Sequence, residues 1–596
     1  MKIRRQYMGV ILFLFAVLSA LTACGSDGSP NVEQTAVPSL AATDAIPQTS
    51  DAVAIQPTTA VPDTPTAEPP SPIPPTPTSP PTIPPPAATD LSVSTSGLFL
   101  YPVPEIFAGD RVTFQILATV PEAVIPDEVP VHIFVDSVEL ANGTLGWRNL
   151  AGEAVGLFEW AWDTTDQIGT HTVQVILDPN DVIQIGDEDP TNNVAEVTAV
   201  VQDPALLLPA EANATWVTAE TNCCTVHVVS NTAAYRDLSD LLTVVDTAFA
   251  QASERLEELP NRKYDVYLVD RVIGQGGYAG SAMVVSYSDR HYVSSGLHEV
   301  IVHEAVHLID RQFAPQRIIF LAEGLAVWTS GGHYKQEDLD QRSAALVELG
   351  RYLPLPQLID DFYPVQHEIG YLEAAGFVNY LVKTYGWSQF RAFYTDVTQE
   401  DAATLSEAMN VNLQTYFGIT LAEAEADWLA YLDSLPPDRT AVTDLQTSLR
   451  FYDTMRRYQR TYDPTAYFLT AWLPYPQELT EAGNPADLTR HPETDINIAL
   501  EVMLQAADTA LREADYNRAN VLLDSVDRVL DNNGVFIDPL AVQYLSIVQV
   551  AGTQGYEAQQ VRVDGNHASI WATRGNTAVL TQLSMTLNGR EWILSE

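Results

Sequence analysis

Between Leu91 and Asp203, apolar and polar residues alternate in short runs, among them Arg111–Ile116, Val131–Val135 and His171–Ile176, with Pro, Gly and Asp between them. A period of two sends successive side chains to opposite faces, so residues 91–203 are expected to form an antiparallel β-sandwich. From residue 212 the pattern changes. Cys224–Val229 and Tyr264–Val269 read as strands around Leu238–Leu259, which has helical periodicity. A glycine-rich loop then leads to Ala282–Tyr287, expected to be an edge strand. Two more helical stretches follow residue 440: Leu449–Arg460, and Ile496–Leu530 with a break near Ala514-Asp515. The chain closes in strand-like runs, Gln560–Val563, Ala568–Thr573, Val579–Leu587 and Trp592–Leu594, with a turn at Asn588-Gly589. The expected fold is multidomain: the sandwich, an α+β domain over residues 212–438, a helical connector over 439–491, and an α+β roll over 492–596.

The first ninety residues stand apart. Lys2, Arg4 and Arg5 precede an apolar run, Met8–Leu21, that is short for a bilayer-spanning helix of ~20 residues. It ends in Leu21-Thr22-Ala23-Cys24-Gly25, which resembles a bacterial lipobox. That resemblance implies removal of residues 1–23, lipidation of Cys24, and an extracytoplasmic protein anchored to the membrane only through that lipid. An ordinary secretory peptide cut nearby is the alternative. Residues 24–90 read as a linker. Of the chain's 39 prolines, 17 fall in residues 29–90, which contain no Lys or Arg, so an extended spacer is expected rather than a core.

A formal charge of −47 opposes nucleic acid or an anionic lipid surface as partners. Three cysteines are too few for a disulfide framework. With Cys24 assigned to lipid, the adjacent Cys223 and Cys224 are either two buried thiols or a vicinal disulfide.

The chemistry concentrates in His303-Glu304-Ala305-Val306-His307 and in Glu323, sixteen residues further on. Residues four apart on a helix lie about 40° apart around its axis, so His303 and His307 face the same way and can hold one zinc ion. Glu304 then reaches a water on that ion as general base. Glu323 sits in Phe320–Ala326, an apolar stretch reading as a buried helix, where a carboxylate costs several kcal/mol unless paired. A metal is the obvious partner, making Glu323 the third ligand. Asp310, two turns beyond His303, is a candidate to orient a ligand imidazole. His298 is off the ligand face. Gly274–Ala279 superficially matches a dinucleotide fingerprint, but no helix clearly opens after it and no acid is placed to bind a ribose.

A small sheet leading into HExxH and then a glutamate helix resembles the gluzincin clan and its peptidase MA-like families. The match continues in Tyr371–Leu381, similar to their tyrosine-bearing helix, and in Trp428–Leu432, similar to their closing helix. The resemblance implies a zinc metallopeptidase acting on a peptide or protein. Within that reading Tyr371 is the candidate second stabiliser of the oxyanion, beside the metal, with His367 a weaker one. One departure matters. Aminopeptidase relatives carry a Gly-x-Met-Glu-Asn strand whose glutamate anchors the substrate's free amine, whereas Gly280–Val284 contains no acid, so an endopeptidase is expected. A catalytically silent surface protein that grips peptides on the same scaffold is the alternative, but it would have no need of Glu304. Outside this domain, Val175–Pro179 followed by Asp187–Asn193 resembles the final hairpin of CARDB-type immunoglobulin-like modules. Helices followed by a meander with Gly589–Ile593 resemble nuclear-transport-factor-like domains.

Overall fold

The computed structural model describes residues 89–595, apart from 185, 275, 294–295, 334, 366, 483–485 and 576; the side chains of 367, 481 and 482 are also outside the description. The leader, Cys24 and nearly all of the linker lie outside the described residues. Among the described residues no helix is long and apolar enough to cross a membrane.

The N-terminal module is built from nine strands: β1 (Ser92–Tyr101), β2 (Ile106–Phe107), β3 (Arg111–Thr119), β4 (Pro130–Val135), β5 (Val138–Thr144), β6 (Trp147–Arg148), β7 (Ala154–Asp163), β8 (Gly169–Leu177) and β9 (Val194–Gln202). They form two sheets, ordered β1-β3-β7-β6 and β2-β9-β8-β4-β5. Alternation decides which side chains meet. Val112, Phe114 and Ile116 from one sheet pack with Val131, Ile133, Val173 and Val175 from the other in one buried core. Each such side chain contributes about 1.5–3 kcal/mol through burial.

The central domain holds a third sheet of β10 (Trp216–Glu220), β11 (Cys224–Val229), β12 (Tyr264–Val269), β13 (Gly277–Ala279) and β14 (Met283–Ser286), ordered β10-β11-β12-β14-β13. β14 is therefore not the edge expected of Ala282–Tyr287, because it pairs with β12 on one side and β13 on the other. All four of its residues are buried, as a strand flanked on both sides requires. The edge is β13, whose three residues, one a glycine, carry no alternation that periodicity could detect. At the turn from β10 into β11, Cys223 and Cys224 are joined as a vicinal disulfide.

The helices that shape the site are α1 (Leu238–Leu256), α2 (Leu297–Asp310), α3 (Ile319–Ser330), α4 (Leu339–Glu348), α5 (His367–Tyr385), α6 (Leu421–Asp433) and α7 (Arg439–Tyr462). Ten of the twelve residues of α3 are buried, so it runs through the core rather than over it. Gly324 permits this: a Cβ there would lie 2.7 Å from the carbonyl oxygen of Ala374 in α5. α3 stops at Gly331, whose φ of +89° supplies the left-handed cap that L-residues resist. Beyond α7 come α8 (Asp495–Arg512), α9 (Tyr516–Asp531) and α10 (Pro539–Thr553), then a meander of β15 (Tyr556–Asp564), β16 (His567–Arg574), β17 (Thr577–Asn588) and β18 (Glu591–Ser595). The break between α8 and α9 falls where the sequence places it, with Ala514 at φ +58°. Sequence periodicity singled out neither α10 nor α4, nor the helices at Trp387–Asp396 and Leu405–Phe417.

The connector after α7 docks on the sandwich. Gln115 donates to the Thr470 carbonyl at 2.5 Å, and the Trp472 indole donates to Glu159 at 3.2 Å. Arg490 pairs with Asp110 and Glu211, each at 2.5 Å.

Candidate metal centre

α2 places His303 and His307 one turn apart on the face turned toward α3. Glu323 lies early in α3, and the two helices pack so that three atoms converge. His303 Nε2 is 3.1 Å from Glu323 Oε2, His307 Nε2 is 3.2 Å from the same oxygen, and the two nitrogens are 3.2 Å apart. A tetrahedral zinc with bonds of about 2.0–2.1 Å separates its ligand atoms by about 3.3–3.4 Å. The nearly equilateral triangle here matches that spacing. The donor set, two imidazoles and a carboxylate, also fits zinc, and three protein ligands leave a fourth position open. Among the described residues these three are the one group of His, Cys, Asp and Glu with ligand atoms gathered this closely.

The electrostatics agree with a cation site. Burial opposes ionisation of Glu323, yet the two imidazoles override it and hold its carboxyl well below the ordinary range. Burial pushes His303 down to about 4; the hydrogen bond to Glu323 opposes this and His307 reinforces it, which favours the neutral ring a metal binds. His307 is shifted up instead: burial opposes its charge, but Glu323, Glu304 and Asp310 outweigh burial. Glu304 is only 7% exposed. Burial lifts its carboxyl to about 7, with His307 pulling it down and Glu323 pushing it up, which is the range a general base needs.

Asp310 is placed differently from a group orienting a ligand. It is fully buried, pairs with Arg317 at 2.6 Å and accepts from the Tyr394 hydroxyl at 2.5 Å. Nδ1 of His307 has no hydrogen-bond partner among the described residues. Arg317 in turn donates to the His307 carbonyl at 3.4 Å, so the Asp310–Arg317–Tyr394 cluster supports the end of α2 rather than an imidazole ring. His298 bonds Gln251 at 3.0 Å, off the centre. The side chain of His367 lies outside the described residues.

Tyr371, near the start of α5, stacks beside His303 with ring centroids 5.9 Å apart and faces the cleft. Two cleft residues escaped sequence reasoning. The Tyr363 hydroxyl donates to Glu323 Oε1 at 3.2 Å, holding the carboxylate oxygen that does not face the imidazoles. His333 lies 4.8 Å from the Tyr371 ring, and its Nδ1 is 2.7 Å from fully buried Glu368. Neither sits in a motif. Tyr363 follows a loop after a short helix, and His333 lies two residues past the α3 cap. A cluster of His and Tyr between α3 and α5 was the one available hint.

The cleft has a volume of about 340 Å³. One wall is the edge strand, with Gly277, Tyr278 and Ala279 lining it; Arg311 steadies that strand by donating to the carbonyls of Gly280 and Ala279 at 2.7 and 3.1 Å. The opposite side is closed from elsewhere in the chain, by Tyr452, Phe468 and Leu473 of the connector region and by Leu150 of the sandwich. The arrangement offers a metal position, a buried base beside it, hydrogen-bonding phenols, and a strand edge against which an extended backbone can lie.

No family model matches the chain, and no curated protein matches it. Among solved structures, the M1 zinc metallopeptidase of Deinococcus radiodurans is similar at 13% identity, covering 59% of this chain and 96% of that one with a TM-score of 0.26. An aminopeptidase N family protein from Idiomarina loihiensis is similar at 11% identity, covering 60% and 78% with a TM-score of 0.26. A CARDB domain from Pyrococcus furiosus, solved with di-metal ions, is similar at 19% identity, covering 19% and 87% with a TM-score of 0.15. Likeness at this level assigns no activity, and the chemistry of the site has to stand on its own geometry.

Proposed function

We propose that this chain is a zinc-dependent metallopeptidase of gluzincin type that hydrolyses peptide bonds within a chain. The observation that carries the reading is the 3.1–3.2 Å triangle of His303, His307 and Glu323 with buried Glu304 beside it. Zinc, when bound there, supplies a Lewis acid and lowers the pKa of water toward 7. The chain's own groups do the rest. Glu304 accepts a proton from the attacking water and returns it to the leaving nitrogen. Tyr371 donates to the oxygen that gains charge, and Tyr363 fixes the orientation of Glu323. β13 aligns the substrate backbone.

Endopeptidase action is supported by the absence of an acid in β13 and in Gly280–Val284, which runs from the end of β13 into β14. Glu299 also lines the cleft, where it accepts from Gln336 at 3.2 Å. Matched peptides with free and acetylated N-termini therefore discriminate. Equal cleavage supports the endopeptidase, whereas strict dependence on a free amine would make Glu299 an amine anchor and the enzyme an aminopeptidase. The flanking modules belong to the same reading: residues 91–203 as an immunoglobulin-like CARDB-type spacer, 492–596 as a nuclear-transport-factor-like roll, and Cys24 as the lipidated anchor outside the cytoplasm. The deciding experiment is metal stoichiometry of the segment from residue 91 onward. One zinc per chain, lost in His307→Ala, is expected. A chain that binds no zinc at micromolar concentration ends the proposal.

A further inference from the structure

A second cavity, of about 450 Å³, adjoins the metal cleft at the seam between the sandwich and the connector. Leu473 lines both cavities, and neighbouring residues of one sandwich loop divide between them, Leu150 facing the cleft and Asn149 this cavity. Its walls include Trp147, Trp472 and Tyr475, and two acids, Glu159 and Glu478, line it. Among the described residues no Lys, Arg or His lines it. Trp147 and Tyr475 are half-exposed at 50% and 49%, and both line this cavity, so their rings are accessible to a ligand in it. Neither acid takes part in an ion pair between described residues, although Arg and Lys elsewhere in the chain are extensively paired. Burial pushes the Glu159 carboxyl up; the Trp472 indole opposes this, and the Glu478 charge adds to it. Both acids are exposed to solvent, and an organic cation in the cavity would relieve their mutual repulsion and also gain from the ring quadrupoles of the aromatic walls.

The cavity lies where a substrate would run. The Tyr278 hydroxyl in β13 donates to the Pro474 carbonyl at 3.0 Å. A Cβ built on Gly280, just past β13, would lie 3.7 Å from the Tyr475 ring. A backbone extended along β13 leaves the strand beside Tyr475.

We propose that this cavity is a subsite for a basic side chain, lysine or arginine, of a peptide lying along β13 with its scissile bond at the metal centre, a proposal that rests on the peptidase reading above. The cation sits between Trp147 and Tyr475 and pairs with Glu478 and Glu159. The sandwich, through Trp147 and Glu159, is then part of the substrate site and more than a spacer.

The test uses the full chain loaded with zinc and a set of internally quenched peptides. In each peptide one position is varied among lysine, arginine, norleucine and glutamate, on either side of the cleaved bond. At one position lysine or arginine is expected to lower KM about tenfold relative to norleucine. Glu478→Gln and Trp147→Ala should each bring that ratio close to one. Because the ratio is internal to each variant, partial misfolding cannot imitate the result. Binding of the same peptides to Glu304→Gln, followed by tryptophan fluorescence, gives a readout independent of turnover. Cleavage with no basic preference at any position overturns the subsite and leaves the peptidase standing. A basic preference that survives both substitutions also overturns it. Lysine-dependent binding that Glu478→Gln weakens, with no cleavage of any peptide, supports the subsite and overturns the peptidase reading. Absence of both cleavage and lysine-dependent binding overturns both.

Discussion

Two buried carboxylate clusters in this chain are treated in opposite ways. At the seam between the central domain and the C-terminal helices, Arg290 is 2% exposed and pairs with Glu501 and Glu557, each at 2.5 Å. The chain supplies its own cation there, and the cluster needs nothing from solution. At the metal centre Glu323 is as deeply buried, yet its ion-pair partners among the described residues are two imidazoles, one of them pushed by burial to about 4. No Lys or Arg completes that cluster. A buried carboxylate paired with a guanidinium is permanently neutralised and structural, whereas one paired with two imidazoles, which give up their protons to a metal, is suited to a cation from outside. Glu373 is a third case. It is fully buried, accepts a hydrogen bond from the Leu353 amide at 3.1 Å, and belongs to no ion pair or metal-binding group among the described residues.

The sharpest way to break this contrast is at Glu304, which belongs to the externally completed cluster but not to its ligands. Glu304→Gln is expected to cut turnover of a quenched peptide by about 10²–10⁴-fold while zinc content stays at one per chain. Near-normal turnover would remove Glu304 from the mechanism. Next in size is Arg290. Replacing it with Met strands two carboxylates and should cost about 3–5 kcal/mol in urea unfolding, with zinc stoichiometry unchanged. A loss below about 1 kcal/mol would mean that Glu501 and Glu557 are not sustained by Arg290. Zinc itself should stabilise the intact site by about 2.7 kcal/mol at a hundredfold excess over its Kd, read as a rise in Tm. That rise should vanish in Glu323→Ala and survive in Arg290→Met.

The last effect is read as a slope with pH rather than as one difference. Burial raises Glu373 to about 8; the Leu353 amide opposes this and the Glu425 carboxylate adds to it. A folded pKa above the unfolded value means that the stability from its protonated form is complete below about 4.5 and is lost as pH rises through 8. Stability should therefore fall by up to about 1.4 kcal/mol per pH unit across that window on this account. Glu373→Gln, which keeps the shape without the proton, should flatten the slope. An unchanged slope would assign the pH dependence to other groups.

What could be read from sequence was what short-range periodicity encodes. His303, Glu304 and His307 lie within five residues of one helix, so their relative directions follow from 100° per residue whatever the rest of the chain does. Glu323 was legible because a charge inside an apolar run demands a partner, and the alternating runs of the sandwich were legible because a strand's side chains switch faces at each step. Even the break at Ala514 showed as an interruption of a helical pattern. The edge strand did not, because three residues with a glycine make no pattern. Tyr363 and His333 escaped because their value lies in what they touch across α3 and α5.

The walls of the site were decided only by tertiary structure. Leu150, Gly277, Tyr363 and Phe468 come from four separate stretches of the chain, and it is helix and sheet packing that brings them to one cleft. The same holds for Asp310, which sequence placed on the correct face but packing committed to Arg317 and Tyr394. Sequence by itself determined which atoms could hold a metal, since local geometry needs only neighbours. Which substrate reaches that metal depends on contacts between distant segments, and those exist only once the cores have closed around them.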